Sequence, residues 1–331
     1  MKSAGDFAVL GNGLLSMNPL ASNSEPYTQS FSFSGSAGWQ LVVSADALNL
    51  EKLGNVTKAL ADALQTGYWQ ISESRTSDKN YARLVAKCGV ALKVEEGVNA
   101  LIEQVAMAHQ VELALCHNAP TLSEPGLLVM DMDSTVIKVE CIDEIAKLAG
   151  VGQEVSEVTE LAMQGKLDFA QSLTQRVACL ADADESILQQ VRDALPLMPG
   201  IEHLIKALKE NGWKVAIASG GFTYFADYLK ERLNLDAAVS NTLDIQNGKL
   251  TGKVQGSIVD AQVKASTVES LAEEFGIPMQ QTVALGDGAN DLVMMATAGL
   301  GVAYKAKPVV REQAQTSIRF SGLDMMLDYL G

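Results

Sequence analysis

Residues Leu127 to Thr135 read Leu-Leu-Val-Met-Asp-Met-Asp-Ser-Thr, and no other segment limits the fold as sharply. Four apolar residues with no polar alternation make a strand buried on both faces, and such strands belong to parallel sheets covered by helices. The strand ends in two aspartates one residue apart, at the carboxyl edge where open α/β sheets place their ligands. One carboxylate there is able to attack phosphorus while the other handles the proton of the leaving group. An isolated Asp-x-Asp is explained as well by a turn cap, so the catalytic reading depends on matching pieces downstream.

The pattern downstream is an alternation. Residues 141–195 show helical spacing with no convincing strand, over Ile142 to Leu148, Val155 to Met163 and Phe169 to Leu180. Strands are then expected at 214–218, 282–285, 298–303 and 317–320, and helices at 223–233 and 267–275. Strands alternating with helices imply a parallel sheet covered on both faces. Asn247-Gly248, between two short apolar runs, marks a β-hairpin inserted among these elements.

Upstream, residues 1–37 read as an irregular N-terminal arm rich in Ser and Asn. Residues 38–118 follow the order β-α-β-β-α-β, the split βαβ or ferredoxin-like arrangement. Strands are expected at 39–44, 68–74, 82–87 and 111–116, and helices at 47–64 and 97–109. This order resembles that of ACT-like modules, which often bind amino acids. Binding an amino acid, pairing two chains as a homodimer and simple packing all stay open for it. A linker over 118–126, with Pro120 and Pro125, leads into a second domain at 126–331.

At 331 residues the chain has room for two such domains. Its net charge of -15 and pI near 4.6 exclude the basic surface that nucleic acid requires. No stretch has the uninterrupted apolar length that spans a bilayer. Cys88, Cys116, Cys141 and Cys179 form no C-x-x-C pair, so free thiols and a cytoplasmic location are expected. An acidic protein that handles a phosphorylated substrate must concentrate cations at the site itself.

Three further segments supply matching chemistry. Ser219-Gly220-Gly221 lies between an apolar strand and a helix and offers a hydroxyl and amides to a phosphate. Lys264 heads the helix carrying Val268, Leu271 and Phe275; taken alone, a lysine there reads as a solvated charge. Gly286-Asp287-Gly288-Ala289-Asn290-Asp291 follows another strand. It fails as a dinucleotide fingerprint, since Asp291 stands where Gly or Ala is needed and Asp287 would repel a pyrophosphate. Two carboxylates among small residues suit a hard cation such as Mg²⁺.

Taken in order, these four motifs resemble those of the haloacid dehalogenase (HAD) superfamily, and the stretches at 140–150 and 214–222 are similar to its phosphoserine-hydrolysing branch. The resemblance implies a Rossmann-like α/β core with a helical cap at about 142–197. It implies Asp131 as nucleophile, forming an aspartyl-phosphate, and Asp133 as acid and then base. Mg²⁺ would be held by Asp131, the carbonyl of Asp133 and Asp287, with Asp291 in support. Ser219, Gly220 and Lys264 would hold the phosphoryl oxygens, and Asn290 would help close the site. Glu140 would meet the α-ammonium of phosphoserine and Arg176 its α-carboxylate, with Met163 and Phe169 covering the substrate.

Asp133 separates this chain from dehalogenases, which lack the second Asp, and from P-type ATPases, which carry Thr there. The implied activity is a Mg²⁺-dependent phosphatase releasing serine, the last step of serine biosynthesis. A phosphatase or phosphotransferase for another small phosphomonoester would use the same motifs. From another class, a non-catalytic amino-acid sensor would need only the N-terminal module.

Overall fold

The computed structural model describes residues 7–10, 14–17, 38–45, 48–67, 69–76, 83–93 and 96–331. The N-terminal part runs β1 (Phe7–Leu10), β2 (Leu14–Met17), β3 (Trp39–Ala45), α1 (Leu50–Leu60), β4 (Leu64–Thr66), β5 (Trp69–Glu73), β6 (Leu84–Leu92), α2 (Val98–His109) and β7 (Glu112–His117). Four strands lie in the order β5-β6-β3-β7 with antiparallel neighbours, the ferredoxin-like order expected. Strands β1 and β2 pair antiparallel, and β2 adds to β5. Part of the arm expected to be irregular is therefore a hairpin; its signal is Gly11-Asn12-Gly13 between two short apolar runs. Residues 1–6, 11–13 and 18–37, the rest of that arm, lie outside the described residues.

Helix α1 is shorter than its apolar spacing suggests. Asn49 caps its start by accepting from the Lys52 N–H at 2.8 Å, and Leu64 to Thr66 leave it to pair with β6. Helices α1 and α2 bury Leu53, Val56, Leu60, Ile102 and Val105 against Leu41, Val43, Leu113 and Leu115 of the sheet. With side chains alternating along a strand, Val42, Val85, Ala114 and Cys116 serve the other face. There they join one apolar core with Met326, Tyr329 and Leu330 at the far end of the chain.

The second part contains β8 (Leu127–Met130), α3 (Cys141–Ala149), α4 (Gly152–Met163), α5 (Phe169–Ala178), α6 (Ser186–Asp193), α7 (Ile201–Glu210), β9 (Lys214–Phe222), α8 (Thr223–Leu233), β10 (Ala237–Gln246), β11 (Lys249–Gln255), α9 (Ala261–Phe275), β12 (Thr282–Gly286), α10 (Leu292–Thr297), β13 (Leu300–Tyr304), α11 (Pro308–Gln313), β14 (Thr316–Ile318) and α12 (Met326–Tyr329). Its sheet has the order β11-β10-β9-β8-β12-β13-β14. Every neighbouring pair is parallel except the β10–β11 ribbon. The ribbon turns at Asn247 and Gly248, φ +52° and +75°, the two left-handed residues of a type I′ turn. From β8 the chain builds outward first through β9 and then, on the other side, through β12. The carboxyl ends of β9, β8 and β12 thus flank a topological switch point.

Helices α3 to α6 form the cap, all-helical as expected. The two parts of the chain meet closely. Glu112, 1% exposed, accepts from the N–H groups of Arg319, Phe320 and Ser321 at 2.7 to 2.9 Å. Glu103 pairs with both Arg311 and Arg319, and Asp328 accepts from the Ser74 hydroxyl and, at 2.9 Å, the Arg75 N–H. Among the described residues no helix is long and apolar enough to cross a membrane.

Candidate active site

Asp131 closes β8, its N–H bonded to the Leu285 carbonyl of β12 at 2.9 Å. The chain then turns tightly, with the Val136 and Ile137 N–H groups both reaching the Met132 carbonyl at 2.8 and 3.1 Å. Ser134 sits at φ +55°, a region costly for an L-residue, and its hydroxyl donates to Glu140 Oε1 at 2.7 Å. The turn brings Asp133 back over the sheet edge. Its Oδ2 accepts from the Cys141 N–H at 3.3 Å, while Oδ1 is buried with no hydrogen-bond partner. Burial, then the charges of Glu140 and Asp131, push the Asp133 carboxyl well above its ordinary range. A neutral carboxyl with a free oxygen is what a proton donor requires.

Lys264 lies in the first turn of α9, whose start is capped by Asp260. Read in isolation it is a surface charge; in the fold it is 1% exposed, with Nζ 2.9 Å from Asp131 Oδ1 and 2.8 Å from Asp291 Oδ1. Burial disfavours its charge, but Asp131 and Asp291 outweigh that and hold it protonated. Asp291 is fully buried and accepts from the Gly288 N–H at 3.0 Å. Gly286 is obligatory because a Cβ there would run into the Asp291 carboxyl. Asp287 accepts from the Thr135 hydroxyl at 3.1 Å.

Carboxylate oxygens of Asp131, Asp287 and Asp291 lie within 4.8 Å of one another. An all-oxygen set of this kind fits a hard divalent cation. Burial and then mutual repulsion from Asp131 push Asp287 up to about 7 and Asp291 up to about 6. Lys264 alone does not neutralise three carboxylates, so the cluster is short of positive charge and suited to hold a metal ion.

Ser219 and Gly220 extend β9 beyond the point where the sequence suggests a turn. Asn241, 2% exposed, fixes this segment: its Nδ2 donates to the Gly220 carbonyl and its Oδ1 accepts from the Val259 N–H, both at 2.8 Å. With its carbonyl so held, Gly220 keeps the close approach that a side chain would deny, since a Cβ would strike the Phe169 ring.

Asp131, Asp133, Ser219, Gly220, Lys264 and Asp287 line one cavity of about 170 Å³, together with Glu140, Phe169, Arg176, Gly288 and Asn290; Asp291 and Asn241 stand behind it. Phe169 opens α5 behind a capping box of Asp168 and Gln171. Arg176 enters from the last turn of the same helix, its Nε buried without a partner. Glu140 stands at the start of α3, and burial raises its carboxyl above the ordinary range despite the bond from Ser134. Met163, expected over the substrate, is not brought here. It ends α4 with 69% of its surface exposed, because the chain turns away at Gln164 and Gly165 before re-entering at Phe169.

Thr135 stands in the first motif without a role of its own, and the sequence does not point to Asn241, Ile142, Leu173 or Phe222. Leu173 was findable: it lies four residues after Phe169 and three before Arg176, on one helical face. Asn241 carried no such signal, being a lone amide inside a strand.

The family model for haloacid dehalogenase-like hydrolases matches residues 126–299. A phosphoserine phosphatase of Vibrio cholerae serotype O1 is 62% identical over 221 residues, 67% of this chain and 67% of that protein. One from Haemophilus influenzae is 61% identical over 218 residues, 66% of this chain and 69% of that protein. Among solved structures, an unliganded probable phosphoserine phosphatase from Vibrio cholerae superposes with TM-score 0.72 at 49% identity, covering 88% of this chain and 86% of that one. A substrate-bound phosphoserine phosphatase complex gives TM-score 0.60 at 41% identity, covering 63% of this chain and 99% of that one.

Proposed function

The chain belongs to the haloacid dehalogenase-like hydrolases, and from that membership we propose that it hydrolyses O-phospho-L-serine to L-serine and phosphate with Mg²⁺ bound. The observation that carries the reading is the polarity of one small cavity. Asp131, Ser219, Gly220 and Lys264 line it together with Glu140 and Arg176, a pair of opposite charges suited to the ammonium and carboxylate of an amino acid.

Asp131, paired with Lys264, attacks phosphorus in line with the serine oxygen. The P–O bond to serine breaks as Asp133 gives its proton to that oxygen, leaving an aspartyl-phosphate. Asp133, now ionised, takes a proton from water, which attacks the same phosphorus and restores Asp131. Ser219, the Gly220 amide and Lys264 stabilise the equatorial oxygens through both steps. Asp131, Asp287 and the Asp133 carbonyl would hold Mg²⁺, with Asp291 steadying Lys264 beside them. The ion supplies positive charge against the phosphoryl oxygens and relieves the repulsion within the cluster. Phe169, Ile142 and Leu173 exclude water from the covered substrate.

A panel of phosphate esters compared by kcat/KM, with and without Mg²⁺, tests the reading, with Arg176→Ala beside the wild type. Phosphoserine is expected to lead the panel only with Mg²⁺ present. Arg176→Ala is expected to raise KM for phosphoserine roughly 10- to 100-fold, the loss of a charge-assisted pair, and to leave p-nitrophenyl phosphate nearly unchanged. Equal losses on both esters would remove Arg176 from substrate recognition, and another ester leading the panel would replace phosphoserine.

A further inference from the structure

Besides the packing of Arg192 of α6 against Tyr224 and Tyr228 of α8, two seams of backbone hydrogen bonds tie the cap to the core. One is where the chain enters and leaves it: the Lys138 N–H donates to the Pro196 carbonyl and the Met198 N–H to the Val136 carbonyl, both at 2.9 Å. The other involves no covalent connection. The loop after α5 lies along β11, with Asp182 N–H to Leu250 O, Leu250 N–H to Ala183 O and Glu185 N–H to Gly248 O, each at 2.9 Å. Asp184 and Lys249 pair across it as an isolated antiparallel bridge. The cap thereby adds a strand-like edge to the ribbon.

Gly252 of β11 sits beneath the end of α5 at φ +77°. A Cβ there would lie 2.9 Å from Ala181 Cβ and 3.2 Å from the Ala178 carbonyl, so only glycine allows this seat. The ribbon is stiffened at its register shift, where the Asp244 carboxylate accepts from Thr251, Gln255 and Gln246 at 2.8, 3.0 and 3.2 Å. Its root, β10, pairs with β9, which bears Ser219 and Gly220. A continuous hydrogen-bonded path thus leads from the phosphate end of the cavity, through β9, β10 and β11, to the helix that bears Phe169 and Arg176.

We propose that the ribbon is a specificity strut: it stays bonded to the cap through turnover and sets the span between Arg176 and the Ser219-Gly220 segment, with Gly252 as the positioning residue. The proposal rests on phosphoserine as substrate, since that span matters only to an ester with a carboxylate for Arg176 to grip. A displaced α5 then weakens the grip on serine while the phosphoryl site, built by the core, stays intact.

Full-length wild type, Gly252→Ala and Gly252→Ala/Ala181→Gly are compared on phosphoserine and p-nitrophenyl phosphate. The single variant is expected to raise KM for phosphoserine roughly tenfold, with p-nitrophenyl phosphate kinetics held within about twofold, and the double variant to recover only the part due to the Ala181 contact, since the Ala178 carbonyl and the left-handed backbone still oppose a Cβ. Equal change on both esters, or none on either, overturns the strut. Wild type that cleaves p-nitrophenyl phosphate but not phosphoserine overturns the substrate reading instead. Independently, Asp184→Cys/Lys249→Cys places two thiols across the bridge at a spacing suited to a disulfide. The oxidised protein is expected to keep wild-type phosphoserine kinetics within about twofold. Turnover lost on oxidation and restored by reduction would mean that the cap leaves the ribbon in each cycle, which overturns the proposal even if Gly252→Ala fails to fold.

Discussion

At the scale of single residues, the site works by holding like charges together. Asp133 is kept protonated by burial and its anionic neighbours, so Asp133→Asn removes the proton donor with little change of shape. Steady turnover of phosphoserine is expected to fall roughly 10²- to 10⁴-fold. p-Nitrophenol, a good leaving group, needs no acid, so the variant should release one burst equivalent of it per site and then stall. The lack of a burst in rapid-mixing measurements would contradict the two-step use of Asp133. Asp287 and Asp291 give a stability signature. Burial and repulsion raise them from 3.8 to about 7 and about 6, so between about pH 4 and 7 the metal-free folded protein holds more protons than the unfolded chain. Stability of the metal-free protein is therefore expected to fall as pH rises through that window, and Mg²⁺ to raise Tm most at its upper end. Glu103 and Asp236, held below their ordinary values of 4.5 and 3.8, act in the opposite sense at lower pH. Melting curves with and without Mg²⁺ at several pH values measure this, and a metal-free Tm that climbs from pH 5 to 7 would refute it.

At the scale of elements, what the sequence made legible was whatever repeats or stands adjacent in the chain. The buried strand 127–130, the Asn247-Gly248 hairpin and the all-helical cap follow from periodicity and turn chemistry, and the structure forms them. What escaped was set by distant contacts. Leu64 to Thr66 continue a helical pattern but are drawn off by β6, and Met163 carries an apolar side chain that its helix end turns outward. Asn241 is the site's clearest case, since its value lies in two bonds to Gly220 and Val259. Asn241→Ala leaves the Val259 N–H buried without a partner, at a cost of about 1–3 kcal/mol, and frees the Gly220 carbonyl. A lowered unfolding midpoint together with weaker phosphate-ester turnover is expected; unchanged kinetics in a destabilised variant would confine Asn241 to folding.

At the scale of the whole molecule, the two parts of the chain are one packed body. Val42, Val85, Ala114 and Cys116 of the N-terminal sheet share a core with Met326, Tyr329 and Leu330, and Glu112 gathers three N–H groups just after β14. Glu112→Ala leaves those donors buried and unpaired, which is expected to destabilise by about 2–4 kcal/mol while leaving kcat on phosphoserine unchanged, since Glu112 is absent from the cavity lining. Denaturant melts beside initial-rate assays check this, and a fall in kcat without a fall in stability would tie the module to catalysis. The shared core also orders events during synthesis. A ribosome delivers the N-terminal sheet long before Met326, Tyr329 and Leu330, which share a core with its second face. Until those residues emerge, that face lacks these partners and is adhesive. Nascent chains stalled before residue 323 should therefore engage holding chaperones far longer than chains in which residues 323–331 have emerged.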